Sequence, residues 1–431
     1  MDTDEARARE DAAGNTPAPL LTIIGPRGSA HGYAIRDFLH RSDVPFKWIE
    51  VRDDAEARAK ALVPRVNDSR LPVCLFPDGT LMECPTIRQI TEKLGWFRNP
   101  SRTEYEVAIY GAGPAGLSAA VYAASDGLKT VLVERWAVGG QAGSSSRIEY
   151  YLGFPRGISG ADLFERAREQ AVKFGVEILL AREGVRAPFP PGRGVGYLED
   201  GTRLVARACI CATGVAYRRL RLSNENRFLD AGLYYGAGAS EAALTKGEAV
   251  YVVGGGNSAG QAVMHFAPLA RRVTMVAREE TLDETLSAYL IDRIRATPNI
   301  EVLTCCEVIA VDGDTLLQEI TIANRVTGEK RKAKTNWLFV CIGGVPQTAW
   351  AEEVGLARDA NGYLLTGPDL LIGGRRRARW PLDRAPYYLE TNVPGVFAAG
   401  DVRHGSVKRC ASAVGEGAMA VAFVHRHLAG K

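Results

Sequence analysis

Short apolar runs alternate with helix-length amphipathic segments along most of the chain. LLTIIG (20–25) reads as a buried strand, residues 31–41 as a helix and FKWIEV (46–51) as a second strand. DDAEARAKAL (53–62) has helical character, LPVCLFPDGT (71–80) reads as strand, turn and strand start, and PTIRQITEKLG (85–95) as a helix. The stretch 97–106, with Asn99-Pro100 and several charged residues, breaks this pattern as a linker would. Beyond it, EVAIY leads into a glycine-rich turn and an alanine-rich helix, and AVYVV does the same again. Strands followed by helices in this way predict parallel sheets covered by helices. Short strands and turns then return, and the chain closes with a helix of small and apolar residues at about 409–428.

Composition narrows the class. A chain of 431 residues predicts two to four domains. The 53 basic and 50 acidic residues are mixed, without a long basic block, so nucleic acid is not an expected partner. No run of 18 apolar residues is present, so no membrane span is expected. Residues 1–18 are charged and lack an apolar core; they read as a disordered tail rather than a signal peptide, and the expected compartment is the cytoplasm. No pair among the eight cysteines is spaced C-x-x-C, which predicts free, mostly buried thiols and no metal.

The first glycine turn is Gly111-x-Gly113-x-x-Gly116. Its first glycine permits a tight turn, the second lets backbone approach a pyrophosphate, and the third lets helix and strand pack closely. The helix that begins at Pro114-Ala115 aims its positive end at the phosphates. Glu134 ends the next strand and is placed for an adenosine ribose, with Arg135 beside it. A remote segment, TNVPGVFAAGD (391–401), supplies small residues and Asp401, suited to a flavin and its ribityl chain. Together these predict FAD. The second turn, Gly254-x-Gly256-x-x-Ala259, predicts a nicotinamide nucleotide. The strand after it ends in Arg278 rather than an acid, which favours NADPH over NADH, although Glu279 and Glu280 follow.

These motifs together resemble the low-molecular-weight thioredoxin reductases over about 105–431, through GAGPAG (111–116), GGQ (139–141), ATG (212–214), GGGNSA (254–259), IGGVPQT (342–348) and AAGD (398–401). The resemblance implies two nested Rossmann-type units, an FAD part at 104–219 and 344–431 and an NAD(P) part at 220–343, and a homodimer. It implies FAD contacts at Gly113, Pro114, Ala115, Glu134, Gly140, Gln141, Thr213, Gly214 and Asp401. Lys408, Arg409 and Cys410 fall where that family has a flavin-side Arg-Gln-Ala. The nucleotide would meet Asn257, Ser258, Ala259, Arg278 and Gly343. Residues 19–97, in the order βαβαββα, resemble a thioredoxin or glutaredoxin fold, with Pro72 at its cis-proline position and residues 98–103 as linker.

The departures concern redox chemistry. Where that family has a C-A-T-C dithiol, this chain has Gly236-Ala237-Gly238-Ala239, and the N-terminal unit has Ser29-Ala30-His31-Gly32 at its C-x-x-C position. With no thiolate relay at either place, the flavin is the expected last stop for electrons. Tyr150 replaces a flavin-side Asn, and Ala277-Arg278-Glu279 replaces a more basic run. Cys410 and His404 are the candidates for chemistry beside the flavin; Cys209 and Cys211 read as core, Cys305-Cys306 as free vicinal thiols, and His31 as a surface residue. The basic run Arg375, Arg376, Arg377 and Arg379 reads as solvated. The expected activity is NAD(P)H-driven reduction of FAD, which passes electrons to a ferredoxin- or flavodoxin-like carrier, a quinone, a small metabolite or oxygen. The thioredoxin-reductase-like ferredoxin–NADP reductases, which also lack the dithiol, are a close parallel. The alternatives are a non-catalytic redox-sensing flavoprotein with a docking domain, and an atypical thiol–disulfide reductase.

Overall fold

A computed structural model describes residues 19–190, 192–372, 375–376 and 380–430, so the segment expected to be a disordered tail lies outside the described residues. The first apolar runs form β1 (Leu21–Gly25), α1 (Ala30–Arg41) and β2 (Phe46–Glu50). The expected single helix at 53–62 is instead α2 (Asp54–Glu56) continued by a wider π turn, Ala57–Ala61, ending at left-handed Leu62. Pro64 follows two residues later, and the backbone before a proline is disfavoured from staying helical. β3 (Val73–Leu75), β4 (Leu81–Glu83) and α3 (Ile87–Lys93) complete the unit. Its sheet has the order β2-β1-β3-β4, with β1 parallel to β2 and the other pairs antiparallel. The Leu71-Pro72 peptide bond is cis.

β5 (Glu104–Tyr110), α4 (Pro114–Ser125), β6 (Thr130–Val133), α5 (Gly160–Lys173) and β7 (Glu177–Leu179) follow as one alternating series. β8 (Gly184–Arg186), β9 (Gly194–Leu198) and β10 (Arg203–Cys211) extend the sheet to the order β7-β6-β5-β10-β9-β8. β10 is parallel to β5, which puts their C-terminal ends, Tyr110 and Cys211, side by side at the glycine turn. β11 (Ala216–Tyr217) then leads out of this unit.

The second series contains β12 (Leu233–Tyr235), β13 (Ala249–Val253), α6 (Asn257–Phe266), β14 (Arg272–Val276), α7 (Ala288–Ala296) and β15 (Ile300–Leu303). A three-stranded meander, β16 (Cys306–Gly313), β17 (Leu317–Asn324) and β18 (Lys330–Lys334), precedes β19 (Leu338–Val340). β12-β19-β13-β14-β15 is a wholly parallel sheet buried on both faces, as expected for near-continuous apolar strands. β20 (Gly344–Val345) returns antiparallel to β11, so two short strands join the two units.

The chain then re-enters the first unit through α8 (Ala349–Glu353), a small pair β21 (Leu371–Ile372) and β22 (Arg375–Arg376), and β23 (Val396–Ala398), which joins β10 in parallel. α9 (Cys410–Leu428) closes the fold against α4. The small residues of both helices explain the contact: a Cβ at Gly417 would meet the Ala115 carbonyl at 2.1 Å, and Ala119, Ala120, Ala123 and Ala420 are fully buried. Of the expected basic run, Arg377 and Arg379 lie outside the described residues, as do the side chains of Arg375 and Arg376.

The N-terminal unit is seated on both others. Trp136 and Ala137, from the loop after β6, pack into its core beside Phe38. Tyr33 lies against Tyr234, Arg27 stacks over Trp337, and Arg36 pairs with Glu241 at 2.9 Å. Residues of the expected linker are tied down as well, with the Ser101 N–H donating to Glu177 at 2.7 Å and Arg182 donating to Asn99.

Candidate functional site

The first glycine turn is built by the ends of β5, β6 and β10. Gly111 adopts φ +103°, and a side chain there would meet the Ala212 carbonyl at 2.4 Å. A Cβ at Gly116 would lie 1.8 Å from the Gly111 carbonyl, so the third glycine is required by the packing of α4 on the turn. The middle glycine differs: its side-chain direction is open, with Gly140 Cα 3.9 Å away as the nearest atom. Gly113 and Gly140 therefore approach each other closely as bare backbone at the N-terminus of α4, a Cβ on Gly140 lying 3.1 Å from the Gly113 Cα, with Pro114 in the first turn of the helix. Glu134 is buried and fixed from both sides, accepting from the Ala112 N–H at 2.7 Å and the Trp136 N–H at 2.8 Å.

A cavity of about 190 Å³ opens beside this carboxylate, lined among others by Gly111, Glu134, Arg135, Val185, Thr213 and Trp350. Arg135 is largely exposed at its rim, 3.7 Å from Glu183. A carboxylate held by backbone donors, bare glycine backbone at a helix N-terminus and an adjoining cavity together suit a dinucleotide with its ribose at Glu134. Val185 and Trp350 were not legible as site residues; they sit on a short strand and on α8, and no local motif marks them.

The other expected flavin residues converge from separate loops. The Gln141 side-chain N–H donates to the Val215 carbonyl at 2.6 Å, binding the Gly139–Ser144 loop to the segment after Thr213-Gly214. Asp401 is half-buried, and burial, opposed by Lys408, raises its carboxyl above the usual range. Lys408 donates to the Asp401 carbonyl at 2.9 Å, and Arg409 lies over the Tyr150 ring where an Asn was expected.

The two chemical candidates differ in their surroundings. Cys410 begins α9 against the core, and burial pushes its thiol up to about 11, away from the thiolate that reactivity requires. His404 is held by Asp359, Nδ1 to Oδ2 at 2.7 Å. All eight cysteines are free, Cys209 and Cys211 are buried as expected, and burial pushes Cys211 up to about 12. His31 is partly exposed, and its Nε2 is hydrogen-bonded to the Pro85 carbonyl at 2.8 Å.

The second turn repeats the construction. Gly254 faces the Cys341 carbonyl, Ala259 is fully buried where the third small residue belongs, and Gly256 caps α6 with the Thr285 carbonyl 3.9 Å from its side-chain direction. Asn257 accepts from the Ser287 N–H at 2.8 Å, Ser258 is exposed, and Gly343 borders open space. Arg278 is exposed just beyond β14. The fold places Glu279 against the turn itself: its carboxylate lies 2.5 Å from where a Cβ on Gly255 would be.

Between the two units lies Tyr217, whose role no sequence signal indicated. Its hydroxyl is 3.2 Å from the Ser144 hydroxyl, and burial raises its phenol above the usual range. Gly236, at φ +101°, packs against the same ring; a Cβ there would be 2.5 Å from the Tyr217 hydroxyl. A Cβ at Gly238 would fall 2.1 Å from the Phe339 ring. Among the described residues no group of three or more His, Cys, Asp or Glu is arranged to hold a metal, and no helix is long and apolar enough to cross a membrane.

Comparison with known proteins is consistent with this geometry. Residues 105–417 match the family model described as pyridine nucleotide-disulphide oxidoreductase, and residues 19–97 fall outside that match. The thioredoxin reductase of Treponema pallidum is 33% identical over 319 residues, covering 74% of this chain and 95% of that protein. That of Bacillus subtilis is 32% identical over 330 residues, covering 75% and 95%. The crystal structure of Lactococcus lactis thioredoxin reductase in its FR conformation superposes with a TM-score of 0.67 at 26% identity, over 76% of this chain and all of that one.

Proposed function

The chain belongs to the pyridine nucleotide-disulphide oxidoreductase family, among the thioredoxin reductase-like flavoproteins, and we propose that it passes electrons from NADPH through FAD to an acceptor that is not a disulfide. FAD and NADPH are the cofactors of this family, and the residues fit both groups: the bare backbone of Gly113 and Gly140 at a helix N-terminus, the fixed Glu134 carboxylate and its cavity for one, the glycine turn that ends at Gly256 for the other. When bound, FAD supplies the hydride acceptor and the electron donor of the reaction.

The chain's own part is to bind, orient and keep water out. In this reading Glu134 and Arg135 hold the adenosine end, Gly111, Gly113, Pro114, Ala115, Gly116 and Gly140 the pyrophosphate, and Gln141, Thr213, Gly214, Asp401, Lys408 and Arg409 the flavin half. Gly254, Gly256, Asn257, Ser258, Ala259, Arg278 and Gly343 serve the nicotinamide nucleotide. The domain division that goes with it is a unit at 19–97 of thioredoxin or glutaredoxin type, a linker at 98–103, an FAD unit at 104–219 and 344–431, and an NAD(P) unit at 220–343; the assembly is a homodimer.

The observation that carries the proposal is the Gly236–Tyr217 contact. At the place where a dithiol would face the flavin the chain has a glycine, and the space its side chain would need is filled by a phenol. No C-x-x-C pair exists elsewhere in the sequence. Anaerobic NADPH should bleach the flavin, and a quinone or a low-potential carrier protein should reoxidise it, in a variant with all eight cysteines replaced as fast as in the parent. The names of the relatives favour a second reading, a thiol–disulfide reductase using unusual cysteines. Steady NADPH-dependent reduction of an aromatic disulfide by the parent, lost in the cysteine-free variant, would establish that reading instead.

A further inference from the structure

We propose that the N-terminal unit completes the flavin site, with Arg41 as a positioning residue for FAD; this rests on the reading of Gly140 and Gln141 as flavin contacts. Arg41 is the last residue of α1, and its side chain leaves its own unit to reach the Gly139–Ser144 loop. One guanidinium nitrogen, Nη2, donates to the Gly140 carbonyl, and Nη1 reaches Asp37 at 3.3 Å. Nε is buried with no hydrogen-bond partner among the described residues and stands 3.7 Å from the side-chain direction of Gly143. The group is thus fixed behind the glycine whose backbone closely approaches Gly113, and it has donor capacity in hand.

The helix that delivers Arg41 is anchored at both sides. Arg36, five residues earlier, is bound to Glu241 of the nucleotide-binding unit, and Phe38 packs edge-on to Trp136 at 6.1 Å. Trp136 in turn donates through its ring N–H to Asp37 and follows Glu134 by two residues. A shift of α1 therefore moves Arg41, the 139–144 loop and the Glu134 loop together. Burial opposes the charge on Arg41, yet Asp37, Tyr217 and Glu134 outweigh it and hold the guanidinium cationic. A fixed cation in a poorly solvated setting stabilises nearby negative charge. FAD brings such charge in its pyrophosphate and gains more when the flavin takes up electrons. A unit without a C-x-x-C, whose helix is buried against the rest of the chain, then has a defined role. It supplies a charge and braces a loop, and it carries no electrons.

The test uses the full-length protein stripped of FAD and reconstituted. Arg41→Gln should weaken FAD binding by about tenfold, as expected for loss of a charge-assisted contact, and should make the flavin midpoint potential more negative. Arg41→Lys, which keeps the charge but not the fork, should hold the midpoint near the parent value while binding FAD less tightly. An Arg41→Gln variant with the parent's midpoint potential, whether or not it binds FAD weakly, would overturn the proposal, because a merely structural contact does not set a potential. Parent protein that takes up no FAD would instead overturn the flavin reading itself.

Discussion

Arg36 and Glu241 stand 205 positions apart in the sequence and form a bidentate pair at 2.9 and 3.1 Å, with 1% and 0% of their side chains exposed. The pair joins the N-terminal unit to the nucleotide-binding unit, and the Arg36 guanidinium also lies 4.0 Å from the Trp48 ring centroid. A buried pair contributes little net stability compared with apolar groups of the same shape, but removal of one partner strands a charge. Glu241→Ala should therefore destabilise the protein by about 3–5 kcal/mol, whereas Arg36→Met combined with Glu241→Leu should cost far less. Urea titration followed by tryptophan fluorescence measures both. A loss in the double variant equal to the sum of the losses in Arg36→Met and Glu241→Leu alone would show that the pair does not act as a unit.

Reinstalling a dithiol should not by itself restore disulfide chemistry. In Gly236→Cys/Ala239→Cys the new Cβ at 236 meets the Tyr217 hydroxyl, and the backbone there has a positive φ that non-glycine residues adopt at a cost of about 1–3 kcal/mol. The expected result is a less stable flavoprotein with no NADPH-dependent reduction of an aromatic disulfide above the parent level. A smaller residue at position 217 in addition, as in Tyr217→Ala, opens the required space. Appreciable disulfide reduction by the double-cysteine variant with Tyr217 intact would show that the phenol is not the obstacle.

The two glycine turns were legible because their demands are local: a strand, a tight turn and a close helix contact need glycine or alanine at fixed spacing, and Gly111, Gly116, Gly254 and Ala259 all meet the backbone that the spacing implies. The order of the N-terminal elements was equally local, whereas the cis bond before Pro72 was expected from the resemblance of that unit to a thioredoxin or glutaredoxin fold. Arg41, Trp136 and Tyr217 were not legible, because each acts on residues far along the chain with no period or motif linking the partners. Glu279 was visible but misweighed. In the sequence it counts only as an acid beside Arg278, and only the folded turn brings its carboxylate over Gly255.

Nucleotide choice should follow from that same pair. Arg278 is the exposed cation suited to a ribose phosphate, and the Glu279 carboxylate is suited to a ribose hydroxyl and repels phosphate. Arg278→Ala should raise KM for NADPH about tenfold, leave KM for NADH nearly unchanged and leave kcat with either nucleotide intact. Glu279→Gln should lower KM for NADPH relative to NADH. Steady-state kinetics with both nucleotides decides it, and an equal rise of both KM values in Arg278→Ala would assign that side chain no part in the choice.

Acid dependence should be concentrated at the seam between α1 and the nucleotide-binding unit. Asp230 there is pushed up to about 6, first by burial and then by Asp37 and Glu241, with Arg219 opposing. A carboxyl whose pKa is raised by folding holds its proton in the native state after the unfolded chain has lost it. Stability therefore falls as pH rises from about 4, the ordinary value, through about 6, and the whole cost is present above that. Asp230→Asn is neutral at every pH and escapes the cost. Parent and variant should be equally stable near pH 4 and diverge between pH 4 and 6. Above pH 6 the variant should be ahead by a constant margin on the order of 1–2 kcal/mol, after allowance for solvent screening. Urea titrations of both proteins across this range give the difference directly, free of the other acids they share. A margin that is constant from pH 4 to 8, or one that grows toward acid, would mean that Asp230 is ionised in the folded protein throughout.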